Sequence, residues 1–256
     1  MRILLTNDDG VYAPGLAAIH ATLAAQHQVT VVAPETEQSA VGHAITLVDP
    51  IRVRPLGPRT GFQGWAVTGT PADCVKLAVS ELLKEPPELV VSGINLGANV
   101  GVNVLYSGTV SAATEAAILG LPAMAISLGT HQDPDFAYAA QVGAHLAGQH
   151  PGLGLPPEVV LNVNVPALPA ERIQGLAWTR QSEARLVERF LPRTDPRGHT
   201  YYWQAGETMG QEGDLATDYP ALLAGYVTLT PVHHDLTHHR LLESLRQKPV
   251  SLPPAE

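Results

Sequence analysis

Apolar positions along this chain come in short blocks broken by glycine, proline and acidic residues, and the blocks are of two kinds. The first kind is a brief aliphatic run: residues 2–6, Gln28 to Ala33, Glu88 to Ser92, residues 123–127 and Val159 to Val165. Such runs are too short for helices and read as buried strands. The second kind is longer and rich in alanine and leucine: residues 15–25 with Pro14 near the start, 71–84, 109–119 and 135–148. These read as helices, the proline suiting a first helical turn. Strand, helix and strand in alternation predict parallel pairing through right-handed crossovers. Residues 44–48 and 51–54 also read as β-structure, with Asp49-Pro50 as the turn between them.

The second half is less regular. Residues 172–205 read as β-structure with long excursions, among them Arg193 to Gly198 and Tyr201-Tyr202-Trp203. A helical turn or two is expected over Asp218 to Leu223, a last strand over Gly225 to Thr230 and a last helix over 234–247, with 249–256 fraying. The pattern predicts an α/β fold, a doubly wound and mostly parallel sheet with a β-rich C-terminal extension.

A chain of 256 residues fits one large domain, or one domain plus an arm. The formal charge is −9 and no Lys/Arg run interrupts it, which argues against a duplex nucleic-acid partner. Cys74 is the only cysteine, so no internal disulfide forms; its place at a helix start suits core packing. No apolar run reaches the ~18–20 residues of a membrane span. The opening apolar stretch is too short for a signal peptide and is interrupted by Asp8–Asp9, so a cytoplasmic protein is expected.

Candidate chemistry sits where strands stop. In an open α/β sheet, ligands bind beyond the carboxyl ends of the strands. The first strand ends in Thr6-Asn7-Asp8-Asp9-Gly10. Adjacent carboxylates repel unless a cation lies between them or one keeps a proton, and oxygen-only ligands suit Mg²⁺, Mn²⁺ or Ca²⁺. The same four residue types also make an ordinary turn. The second strand is followed by Pro34-Glu-Thr-Glu-Gln-Ser39-Ala-Val-Gly42-His43, and the third by Ser92-Gly-Ile-Asn95-Leu-Gly97-Ala-Asn99-Val-Gly101. If these strands are parallel, two carboxylates, a hydroxyl and a carboxamide can meet at one cation. The glycine spacing is not the dinucleotide fingerprint GxGxxG, and no Lys-Ser/Thr phosphate loop is present.

Next comes Tyr106-Ser107-Gly108-Thr109, where a helix is expected to start. Hydroxyls and free N–H groups at a helix start suit a phosphate; Ser or Thr there is also an ordinary cap. His43 is open to two readings, a proton donor or a structural hydrogen-bonding group. His234 and His238, at helical spacing, read as a solvated helix face, since a zinc pair needs a third ligand. Asn162 and Asn164 share one strand face and are placed to support the site. Tyr201, Tyr202 and Trp203 read as hairpin packing or a subunit contact.

Seven stretches taken together resemble the stationary-phase survival protein E family, SurE. They are Leu5–Gly10, Ala33-Pro34 with Gln38–Ala40, Gly69–Cys74, Ser92–Gly97, Tyr106–Val110, Asn162–Pro166 and Gly225–Pro231. They occur in the expected order over most of the chain. The resemblance implies a Rossmann-like core and a metal-dependent phosphatase that hydrolyses nucleoside 5′- and 3′-monophosphates. It implies one divalent cation, Mg²⁺ or Mn²⁺, per subunit, held by Asp8, Asp9, Ser39 and Asn95. It puts Asn95, Ser107, Gly108 and Thr109 at the phosphate, with Asp8 and Asp9 catalytic. Whether water attacks directly or Asp8 first forms a phospho-aspartate stays open. It further implies a homodimer or homotetramer with an exchanged C-terminal arm. On this reading the core spans about 1–170 plus 207–232, the arm about 171–206 and an oligomerisation tail about 233–256. The competing reading is a non-catalytic nucleotide-binding regulatory module, which would use the same sheet edge but has little use for paired carboxylates.

Overall fold

The computed structural model describes residues 1–57, 61–209 and 213–252, with backbone alone for 185–188 and 206–209. The fraying expected over 249–256 therefore lies partly outside the described residues.

The chain opens on β1 (Arg2–Thr6), α1 (Pro14–Leu23) and β2 (Gln28–Pro34). Two short strands follow, β3 (Val53–Pro55) and β4 (Gly64–Val67), then α2 (Pro71–Leu77) and β5 (Leu89–Leu96). The middle of the chain holds α3 (Gly108–Ile118), β6 (Ala123–Leu128), α4 (Ala137–Gln149) and β7 (Val159–Val165). Last come β8 (Gly175–Trp178), β9 (Arg185–Thr194), β10 (Thr200–Met209), α5 (Asp218–Leu223), β11 (Tyr226–His233) and α6 (His239–Leu245).

Nine strands form one sheet in the order β3-β4-β2-β1-β5-β6-β7-β11-β8. β1 is parallel to both β2 and β5, and β5, β6 and β7 continue in parallel. β11 runs antiparallel to β7 and parallel to β8. The expected doubly wound α/β fold is the fold observed. Alternation along β1 builds both layers of the core. Ile3 and Leu5 join Leu16 and Ile19 of α1 on one face; Leu4 joins Cys74 of α2 and Ala112 and Ala116 of α3 on the other. Cys74 is fully buried there.

Local chemistry sets the helix starts. Pro14 opens α1. Thr70 and Asp73 exchange bonds at the head of α2: the Asp73 N–H donates to Thr70 Oγ1 (3.1 Å) and the Thr70 N–H to Asp73 Oδ2 (2.9 Å). Ser107 caps α3 by accepting from the Val110 N–H (3.0 Å).

Four expectations need correction. Residues 44–48 form no strand: Leu47 and Val48 are 82% and 94% exposed, and β-favouring side chains with no neighbouring strand make no sheet. β4 was not anticipated, being short and opened by a glycine. The helix over 71–84 is α2 followed by a wider turn over Ala78–Leu82. The last helix starts at His239, because side-chain turns at Asp235 and Thr237 occupy the backbone before it. His234 and His238 therefore do not share a helix; His238 is the cap of α6, accepting from the Leu241 N–H (3.1 Å).

Within 171–206, β8 is hydrogen-bonded into the main sheet, whereas β9 and β10 pair only with each other as an antiparallel hairpin. Tyr201 and Trp203 stack edge-on along it with centroids 6.5 Å apart. Asp218 joins this region to the site side. Its carboxylate accepts from the N–H groups of Gly101 (2.9 Å), Ser182 (2.9 Å) and Tyr219 (2.7 Å). Asp218→Ala leaves these donors without the carboxylate and is expected to cost about 3 kcal/mol. A urea titration reads this as a lower midpoint; an unchanged midpoint would mean that the donors find other partners.

Candidate functional site

The turn after β1 is closed by Asn7, whose Nδ2 donates to the Gly10 carbonyl (2.9 Å). Gly10 adopts φ +98°, and a Cβ there would press on the Thr36 and Glu37 backbone at 3.3 Å. The glycine thus lets the loops after β1 and β2 touch. They are laced by the Val11 N–H to the Pro34 carbonyl (2.8 Å) and the Gln38 N–H to the Asp8 carbonyl (2.7 Å). From the end of β5, the Leu96 N–H donates to Asp9 Oδ2 (3.3 Å). The register between β5 and β6 shifts between Ser92 and Asn95, an irregularity of the kind that re-aims a side chain at a strand end.

The start of α3 meets the same place. Thr109 donates its hydroxyl to Asp8 Oδ1 (2.5 Å). Gly108 lies so close that a Cβ on it would stand 2.8 Å from Asp8 Cβ. The sheet edge thus brings together Asp8, Asp9, Gly108 and Thr109, with Asn95 next to Leu96.

Three expected groups, Ser39, Ser107 and Thr109, are turned otherwise. The Ser39 hydroxyl donates to Glu37 Oε1 (2.5 Å), while its neighbour Gln38 holds the Asp8 backbone. The Ser107 hydroxyl is spent on capping α3. Thr109, expected at a phosphate, gives its hydroxyl to Asp8. Asn95 donates through Nδ2 to the Gly97 carbonyl (2.7 Å), which commits its donor end and leaves Oδ1 as the acceptor a cation requires.

The charges at this edge are all of one sign. Burial pushes the Asp8 carboxyl up, against the Thr109 bonds. Burial first, and then the Asp8 charge, push Asp9 from 3.8 up to about 6. Glu37 adds to both, and no cation is among the groups acting on either. Two carboxylates with neutral oxygen donors beside them form a hard, all-oxygen set that fits Mg²⁺ or Mn²⁺. No three His, Cys, Asp or Glu residues converge among the described residues, so any cation here would rely on neutral ligands as well.

Behind the site stands a network that the sequence only hinted at. The Asn99 N–H donates to Asn164 Oδ1 (2.7 Å), and its Nδ2 to Ser127 Oγ (2.9 Å). Its carbonyl accepts from Nδ2 of Asn162 (2.9 Å) and of Asn164 (3.1 Å). All four side chains are buried, and they clamp the loop after β5 to β6 and β7. Sequence reasoning missed Glu115, although a signal was there: it is the only charge in the small-residue helix α3. It is buried, with His43 Nε2 on one oxygen (2.7 Å) and Lys76 Nζ on the other (3.0 Å). His43 is thus held by a carboxylate, the hydrogen-bonding alternative of its two readings.

Residues 3–188 match the family described as Survival protein SurE. The 5′-nucleotidase SurE of Syntrophobacter fumaroxidans is 57% identical over 245 residues, covering 96% of this chain and 98% of that protein. The 5′-nucleotidase SurE of Syntrophus aciditrophicus is 52% identical over 247 residues, covering 96% and 93%. Among solved structures, the SurE protein from Aquifex aeolicus superposes with a TM-score of 0.84 at 40% identity, over 96% of this chain and 98% of that one.

Proposed function

The chain belongs to the survival protein SurE family, and from that premise we propose that it is a 5′-nucleotidase, a phosphomonoesterase releasing phosphate from nucleoside monophosphates. The observation that carries the reading is the pairing of buried Asp8 with half-buried Asp9 just beyond β1, with the start of α3 set against Asp8. We assign Asp8, Asp9, Ser39 and Asn95 to a divalent cation, Mg²⁺ or Mn²⁺, one per subunit. When bound, it supplies positive charge for the phosphate oxygens and acidifies water beside them.

The chain's own groups do the positioning. Asp8 is fixed by Thr109, and Asp9 by the Leu96 N–H, so neither carboxylate has to reorganise during the reaction. Ser107 caps α3, and the missing side chain at Gly108 lets the Asp8 carboxylate lie against the first turn of that helix. Asn95, Ser107, Gly108 and Thr109 are the residues we assign to the phosphate. Cleavage of 3′-monophosphates as well as 5′-monophosphates belongs to the same proposal.

We also assign the β9–β10 hairpin and the segment from about 233 to an arm and tail that exchange between subunits of a dimer or tetramer. Exposed Phe190, Tyr202 and Trp203 on the hairpin, and Leu241 on α6, support this. Light scattering giving a monomer at micromolar concentration would contradict it. No helix among the described residues is long and apolar enough to cross a membrane, and a cytoplasmic location is the proposal consistent with the substrate class.

The test is phosphate release from a panel of 5′- and 3′-nucleoside monophosphates with Mn²⁺, Mg²⁺ or EDTA. Release with metal and none with EDTA is expected. Tight nucleotide binding with no release under any metal would instead support the regulatory module.

A further inference from the structure

The loop that carries Ser39 has no regular structure between β2 and β3. Hydrophobic burial does not hold it, since Ile45, Leu47 and Val48 are exposed. Polar tethers do. Thr46 gives Asp73 its hydroxyl (2.6 Å) and its N–H (3.1 Å), and Thr70 Oγ1 donates to the Ala44 carbonyl (2.8 Å). The Gly42 N–H donates to the Tyr106 carbonyl (3.0 Å), beside the start of α3. Past Ser39, the first side-chain tether along the loop is His43, bonded to Glu115.

Glu115 is a costly way to build a helix face. A buried carboxylate needs partners to offset its lost hydration, and a well-packed apolar residue often does as well for stability. The rest of the buried face of α3 is glycine, alanine, serine, threonine and valine. The His43 bond first, and then Lys76, hold the Glu115 carboxyl below its usual range despite its burial. One side chain thus ties α2, α3 and the Ser39 loop together at a single point.

Resting on the phosphatase reading of the neighbouring site, we propose that Glu115 is a positioning residue: through His43 it fixes the loop that delivers Ser39 to the paired carboxylates. It acts on where a ligand group sits rather than on the reaction itself. The test uses the full chain with Glu115→Gln, His43→Gln and the double variant. Hydrogen exchange is followed on the metal-free proteins, Mn²⁺ binding by calorimetry, and phosphate release against Mn²⁺ concentration. Exchange is expected to quicken in the 38–48 segment and to stay unchanged in β1 and the centre of α3. Mn²⁺ affinity is expected to fall roughly tenfold, with turnover at saturating Mn²⁺ retained. The double variant should bind no worse than either single one, because both substitutions cut one tether.

Wild-type exchange in the 38–48 segment would overturn the proposal. So would additive losses, or reduced turnover at saturating Mn²⁺ with unchanged affinity. If Glu115→Gln does not fold, His43→Gln carries the test, since Glu115 then keeps Lys76. If the unsubstituted protein neither binds Mn²⁺ nor releases phosphate, the phosphatase reading fails, while the exchange rates still decide the tether.

Discussion

Asp8→Asn or Asp9→Asn lowers turnover by roughly 10³-fold or more, about 4 kcal/mol of barrier, which is the expected size for a metal losing one of its two charged ligands. Asparagine keeps the shape of the turn and removes only the charge, so the fold survives. Stability should move the other way. Asp9 ionises near 6 in the folded chain against 3.8 ordinarily, because of its burial and then the Asp8 charge. Between those values the folded state holds the extra proton, so ionising Asp9 costs the metal-free protein stability as pH rises through that window. Asp9→Asn has nothing to ionise there and escapes that fall. Phosphate release at saturating Mn²⁺, with thermal melts in EDTA across the same pH range, reads both effects. Near-normal turnover in both variants would sink the assignment. A metal-free Asp9→Asn protein that loses melting temperature with pH as the parent does would remove the electrostatic account.

The second large effect is steric. Gly108→Val is expected to cost roughly 10²-fold in kcat/KM, the scale for misplacing a reacting group by about 1 Å. A Cβ on Gly108 would sit 2.8 Å from Asp8 Cβ and 3.0 Å from Asp8 Oδ2. The helix has little room to yield. Its first turn is locked by the Ser107 cap, and Ala112 and Ala116 lie in the core beneath it. Asp8 must move instead, and with it the Thr109 bond. Thr109→Ser keeps the hydroxyl on Asp8 and serves as the mild control. A kinetic comparison of the two variants at saturating Mn²⁺ checks this; a Gly108→Val protein as active as Thr109→Ser would show that Asp8 tolerates displacement.

The core strands and the carboxylates were legible in the sequence because each signal was local. β1, β2 and β5 are aliphatic runs that stop at Asp, Pro or Gly, and a buried parallel strand leaves that mark whatever its neighbours are. The start of α3 was legible to within one residue, from Ser107 and Gly108. What escaped depends on partners far along the chain. Residues 44–48 have strand-like composition, but no strand lies beside them, and propensity does not report pairing. β11 pairs with β7 antiparallel in an otherwise parallel region, a choice made by packing and not by its own residues. Thr109 was expected to face a phosphate; that it faces Asp8 depends on two segments 101 positions apart. Glu115 shows the same limit, for a lone charge in a small-residue helix announces a partner without saying where that partner lies.

The strand order has a consequence for how the protein is made. β1 precedes its sheet neighbours along the chain yet lies mid-sheet between β2 and β5, and the Arg2 N–H meets Glu88, 86 residues later. The Asn99 clamp closes only when Asn162 and Asn164 arrive, more than sixty positions further on. Synthesis adds about 5–20 residues per second, so a nascent chain carries Asp8 and Asp9 for several seconds before the loop beside them is fastened. A translation product cut short before β7 would have both carboxylates and a loop held to β6 alone, without its Asn162 and Asn164 bonds. Competence for chemistry is thereby tied to completion of the sheet, and a chain cut short before β7 is expected to release no phosphate.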